Sequence, residues 1–143
     1  MKCRIIITDK HDEEVVIYTR KRTKLVEDIK NLVNDNSFEL MGYREGEAVS
    51  LSADEVYCFI VSDSKVYAIT CEKKYQLRCR LYQLEEELSG DFVKINQSCI
   101  ANIRKIERFD TSVSGTLMIK FKNGYKDYVS RRQLKAVKER FGL

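Results

Sequence analysis

Proline and tryptophan are absent from this chain, and histidine occurs once. Without proline there is no stiff polyproline spacer. The balance of 43% hydrophobic and 34% charged residues belongs to a folded domain, not to a disordered tail. The lone His11 lies beside Asp12, Glu13 and Glu14, so any His-dependent triad would have to use it, and no nucleophile stands in a recognisable elbow. Phosphate-cradling loops, dinucleotide fingerprints and metal-ligand spacings are missing as well. The acids Glu45, Glu47, Asp54 and Glu55 show no pattern that pairs two carboxylates. These absences point away from an enzyme, and no cofactor, metal or small-molecule substrate is expected. Five cysteines include no C-x-x-C pair, so they read as structural thiols, buried or half-buried, with Cys58, Cys71 and Cys79 inside strands. No apolar run approaches the ~18 residues of a membrane span. The opening residues become charged too soon for a signal peptide, so a cytoplasmic protein without a membrane partner is expected.

What is present is one domain's worth of chain, 143 residues, with a change of texture near residue 40. Residues 2–8 and 14–19 are rich in β-branched side chains and read as two strands around an acidic turn. From Thr23 to Asn34, Leu25, Val26, Ile29, Leu32 and Val33 fall on one helical stripe, and Asn34-Asp35-Asn36-Ser37 ends it. Beyond Gly42 come strands at Ala48–Leu51, Glu55–Val61, Lys65–Cys71 and Tyr75–Cys79. A short helix follows at Leu81–Leu88, stopped by Ser89-Gly90-Asp91 with Gly90 as its cap. Asn123-Gly124 predicts a two-residue type I′ hairpin, setting Lys122 against Tyr125, Lys120 against Asp127 and Ile119 against Tyr128. A last helix runs from Arg131 to about Arg140, opened by a Ser130-x-x-Gln133 capping box, with Leu134, Val137 and Phe141 as its buried stripe. The fold class is mainly β with short helices (α+β): residues 1–40 form a small β-β-α unit that dimerises, senses or packs, and residues 41–143 form the principal domain.

Charge is distributed unevenly. Residues 1–43 hold eight Lys and Arg against eight Asp and Glu, residues 44–88 hold six against nine, and residues 89–143 hold twelve against five. A basic carboxyl-terminal third suits a polyanion. Three polar spots interrupt the otherwise core-building pattern beyond residue 43: the turn ending at Lys65, the segment Lys94-x-Asn96-Gln97-Ser98, and Ser130-Arg131-Arg132. Each consists of groups that suit phosphates or base edges, Lys and Arg for charge, Asn and Gln for paired donor and acceptor, and Ser for phosphate oxygens, although a solvated turn or cap is the alternative for each. The arginine pair opens a helix, where the dipole disfavours positive charge by about 0.3–1 kcal/mol unless an anion sits in front of it.

The run Phe92-Val93-Lys94-Ile95-Asn96-Gln97-Ser98-Cys99-Ile100-Ala101-Asn102, then Ile106, Asn123-Gly124 and Val129-Ser130-Arg131-Arg132, resembles the LytTR DNA-binding domain of bacterial transcription regulators in order and spacing. The resemblance covers residues from about Met41 to the end, and residues 1–40 look like the small extension of stand-alone members. It implies an elongated β fold that places two loops in successive major grooves of double-stranded DNA. By position, Lys65 would enter one groove and Arg132 the next, with Gln97 and Asn96 over the stretch between. Lys94, Ser98 and Arg131 would meet phosphates, and Asn102 would hold a turn. Lys94, Asn96 and Gln97 replace residues that are more often Arg, His and Arg or Asn in the family, which puts base preference in question. A homodimer or paired binding on repeated sites is expected. The rival reading is a β-rich protein-interaction or ligand-sensing module without DNA binding.

Overall fold

The computed structural model describes all residues except Glu13, 35–38, Ser89 and 112–114. The chain divides into two compact units, residues 1–37 and residues 38–143. In the first, helix α1 covers Lys24–Asn34, as its apolar period predicts, and Thr23 Oγ1 accepts the Val26 N–H at 3.3 Å, capping it. The two expected strands are a correction. The described residues of 2–8 and 14–19 form no ladder, because extended backbone becomes a strand only when a neighbour takes up its N–H and C=O groups. Asp35–Ser37 and Ser89, expected to end α1 and the second helix, lie outside the described residues, as does Glu13 of the acidic turn.

The second unit holds β1 (Leu40–Arg44), β2 (Glu47–Leu51), β3 (Cys58–Ser62), β4 (Lys65–Ile69), β5 (Lys74–Leu77), α2 (Leu81–Glu87), β6 (Phe92–Asn96), β7 (Cys99–Asn102), β8 (Ile106–Asp110), β9 (Leu117–Phe121), β10 (Lys126–Val129) and α3 (Arg131–Phe141). An antiparallel seven-stranded sheet runs β2-β1-β5-β4-β3-β7-β6, and a three-stranded sheet runs β10-β9-β8. The central strands are buried on both faces, which the alternation of their side chains makes possible. Phe59, Ala68 and Ile100 point to a core shared with Leu81 and Leu84 of α2. Cys58, Ile60, Cys99 and Ala101 point the other way, onto Leu117, Ile119 and Phe121 of the small sheet and Val137 of α3. Leu134 and Phe141 pack at the edge of that second core, and Phe109 meets Phe141 at 4.7 Å between ring centres.

Several local details differ from the sequence reading. β1 was not anticipated. Cys71 and Cys79 fall just beyond their strands, and Cys3 and Cys71 are exposed, while Cys58 and Cys99 are buried in β3 and β7. The C-cap of α2 is Leu88, not Gly90. At α3, Ser130 is the N-cap without a side-chain hydrogen bond, so the capping box is not made. The hairpin register is shifted by one: Lys120 faces Lys126, Ile119 faces Asp127 and Met118 faces Tyr128. The loop is three residues long, Lys122-Asn123-Gly124, and only Gly124 takes positive φ (+90°). Phe121 N–H donates to Tyr125 O at 2.8 Å and Gly124 N–H to Phe121 O at 2.9 Å, the pattern of a turn closed by a glycine bulge. Asn123 stays at negative φ because its side chain is engaged: Nδ2 donates to Thr70 O at 3.0 Å, and Oδ1 accepts the Tyr125 N–H at 3.0 Å.

Candidate nucleic-acid interface

Two-residue turns do occur, at other places. Asp63 and Ser64 both adopt positive φ (50° and 63°) between Ser62 and Lys65, which face each other across β3 and β4. This is the geometry of a type I′ turn without glycine, so the tip holds two side chains in the left-handed region at some conformational cost. Lys65 and both tip residues are exposed.

Hydrogen bonds join this turn to the other two polar spots. Val61 N–H, just before the tip, donates to Ser98 O at 2.9 Å, which sets the β6–β7 turn alongside it. Gln97 and Ser98 form that turn and are exposed. On its far side Ser130 N–H donates to Ile95 O at 2.8 Å, seating the start of α3 against the end of β6. Three spots far apart in sequence thus line one end of the main sheet, in the order Lys65, Gln97-Ser98, Arg131-Arg132. With strands about 4.8 Å apart, the backbones at Lys65 and Ser130 are separated by four spacings, roughly 19 Å. Arg131 and Arg132 occupy the first turn of α3, where amide N–H groups have no acceptor within the helix. Both are exposed, and among the described residues neither has a carboxylate within salt-bridge distance.

Two of the expected contact residues are placed otherwise. The β6–β7 ladder slips between Lys94 and Asn96, leaving Ile95 as an extra residue. This bulge turns both Ile95 and Asn96 inward. Asn96 is only 2% exposed, and its side chain is fully engaged. Its Nδ2 donates to Asp127 Oδ1 at 3.0 Å and Tyr128 O at 2.8 Å, and Oδ1 accepts the Ser98 N–H at 2.8 Å. It therefore braces the turn from within. Lys94 lies on the α2 side of the sheet, half-buried, with Nζ 3.7 Å from Glu85 Oε2. Asn102 is buried, donating to Val56 O at 2.9 Å and accepting the Arg104 N–H at 3.1 Å, a turn-holding role.

Asp127 has a second neighbour. Tyr125 Oη donates to its Oδ2 at 3.5 Å, and burial followed by the Asp127 charge pushes the phenol well above its ordinary value. Close by, the Cys99 thiol is held well above its usual range, first by its hydrogen bond with Cys58 and then by burial. Both groups are neutral at physiological pH, so the ground behind the row carries little charge apart from Asp127.

Sequence reasoning missed one cationic feature. Arg108, Lys120 and Lys126 stand directly opposite one another across β8, β9 and β10. The expected register had concealed this by pairing Lys120 with Asp127. Glu107 offsets part of the repulsion, 3.5 Å from Lys120 Nζ.

The sheet order, the bulge and the basic row of turns define a β module that presents loops, not a helix face, along one end. The chain belongs to the LytTr DNA-binding domain family, whose model matches residues 46–142. It is 35% identical to an HTH-type transcriptional regulator of Staphylococcus aureus strain MSSA476, over 100% of this chain and 99% of that one. A counterpart in strain NCTC 8325 / PS 47 is 34% identical over the same extents. A solved LytTr DNA-binding domain from Bacillus cereus superposes with a TM-score of 0.71 at 18% identity, covering 76% of this chain and all of the other, which is a likeness of fold. The protein is a DNA-binding transcription regulator with a mainly β fold. Among its described residues no two helices follow one another in sequence. No described helix is long and apolar enough to cross a membrane.

Proposed function

We propose that this protein reads duplex DNA with the row of turns at one sheet end: Lys65 approaches one major groove, Arg132 the next, and Gln97 with Ser98 tracks the backbone between them. The observation that carries this reading is the joining of the three turns by main-chain hydrogen bonds, with Arg131 and Arg132 exposed and unpaired among the described residues. The ~19 Å between the outer backbones is extended at each end by a long cationic side chain, toward the ~34 Å of one duplex turn. Arg131 meets phosphate, where the free amides at the start of α3 assist it. Arg132 reads a base edge, for which its planar fork is suited. Asn96 braces the turn without reading sequence, and Lys94 is held beside Glu85 on the α2 side of the sheet.

No catalytic step is assigned to the protein, and its place of action is the cytoplasm, where the chromosome of its relatives' hosts resides. It works as a homodimer or on paired sites, because one module of this size covers few base pairs. Elution from a DNA or heparin resin against salt tests the reading. Wild-type protein should elute late, and the Arg131→Ala/Arg132→Ala double variant early, with a log K against log salt slope reduced by about 1 for the lost Arg131 phosphate contact. Equal elution of the two proteins, with equal slopes, would remove the arginine pair from the interface.

A further inference from the structure

We infer that residues 1–37 form a homodimerisation module, in which the β-branched segments around residues 3–7 and 14–18 and the exposed part of the α1 stripe, Leu25, Leu32 and Val33, are completed by the same elements of a second copy. The inference deepens the paired-binding reading above and rests on it.

The first argument is an accounting of backbone groups. Both segments carry the β-branched side chains of strands, yet among the described residues they form no ladder. Among the described residues of 1–23, the hydrogen bonds are local. Lys10 N–H donates to Thr8 Oγ1, Lys21 N–H to Thr19 Oγ1 and Thr19 Oγ1 to Lys21 O, and Thr23 O accepts from Glu27 in the first turn of α1. Strand-forming residues whose amides lack partners are an open edge, and the simplest complement is an identical edge. Antiparallel pairing of a segment with its twin is what a two-fold axis generates.

The second argument is area. Ile5, Ile7, Tyr18 and Leu32 are 85%, 97%, 95% and 75% exposed, and Val16 and Val33 are also open. At about 100 Å² of apolar surface per such side chain, the exposed apolar residues of this unit offer roughly 600 Å² per copy. The pair would bury about 1,200 Å², the lower bound for a specific interface before any ladder is counted.

Charge selects the occupant. Residues 1–37 hold eight Lys and Arg against seven Asp and Glu, so two copies do not repel each other. The polar side of α1 alternates Lys24 and Lys30 with Glu27 and Asp28, unlike the cationic face of a helix that lies on anionic lipid. The full-length match to relatives of the same size shows that this unit accompanies the DNA-binding part in other proteins.

Sedimentation equilibrium of the full chain, from roughly 1 to 100 µM, should move from one chain of 16.8 kDa to two. Ile7→Asp, on the first β-branched segment, and Leu32→Asp, on α1, should each remain single, with the urea midpoint of the main unfolding transition unchanged. Hydrogen exchange provides a readout that needs no variant: amides of residues 3–7 and 14–18 should gain protection as concentration rises. A wild type that stays monomeric, a dimer that survives both substitutions, or a dimer whose segment amides exchange freely would each overturn the inference. On DNA, a monomeric Leu32→Asp chain should keep its salt-sensitive binding to one site and lose about 100-fold on a two-site fragment. If wild type and variant both fail on single sites, the DNA-reading assignment falls while dimerisation stands.

Discussion

Arg132 and Asn96 sit at neighbouring ends of α3 and β6 and act in opposite ways, one reaching outward and the other bracing from within. Arg132→Ala should weaken binding to the preferred sequence by about 1–3 kcal/mol and flatten discrimination at the base it reads, measured by competition between matched and altered duplexes. Asn96→Ala removes a hydrogen-bond partner from Asp127, Tyr128 O and the Ser98 N–H. It should cost about 1–3 kcal/mol in a urea melt, and affinity for all duplexes should fall together as the Gln97-Ser98 turn loses its support. Tyr125 supplies a pH signature. Because its folded-state value lies above the ordinary 10.0, the stability that depends on the neutral phenol is intact below pH 10 and is lost as the pH climbs beyond it. Tyr125→Phe should make the melting midpoint fall less steeply in that range than it does in the wild type. The residue types at 96 and 97 were legible as polar and amide-bearing. Their division of labour was not, because a one-residue bulge decides which side chain faces the interior.

At the scale of elements, the sequence pattern located α1, α2, α3 and most strands of the second unit to within a few residues, since apolar period and turn chemistry agree there. Turn geometry was less legible. Asn123-Gly124 carries the strongest local signal for a type I′ turn, yet the Asn123 side chain is drawn to Thr70 O and the loop takes three residues. Glu45-Gly46 and Asp63-Ser64, with weaker signals, do take positive φ at both positions. β1 escaped notice because Gly42 interrupts it, and packing explains the glycine: a Cβ there would stand 2.7 Å from Leu51 Cδ1 and 2.7 Å from Tyr75 Cβ. Gly42→Ala should therefore destabilise the unit by about 1–3 kcal/mol in chemical denaturation, through overpacking between β1, β2 and β5.

For the molecule as a whole, charge distribution and the family pattern led from sequence to DNA binding, and the fold supplied what sequence could not, namely that three distant spots share one sheet end. The N-terminal strands were the main misreading, since local propensity says nothing about whether a partner strand exists in the same chain. The tie between the hairpin tip and Thr70 has a further consequence. β10 is fastened at its far end through Asn123 and at its near end through Ser130 and Asn96, so the arm that delivers the arginines is pinned at both extremities, like a bridge on two piers. On the proposed reading, an arm held in this way should resist swinging to meet a bent or widened groove, leaving the double helix to do the yielding. Preference among operators should then arise partly from how readily each sequence flexes, including at base steps that no side chain touches.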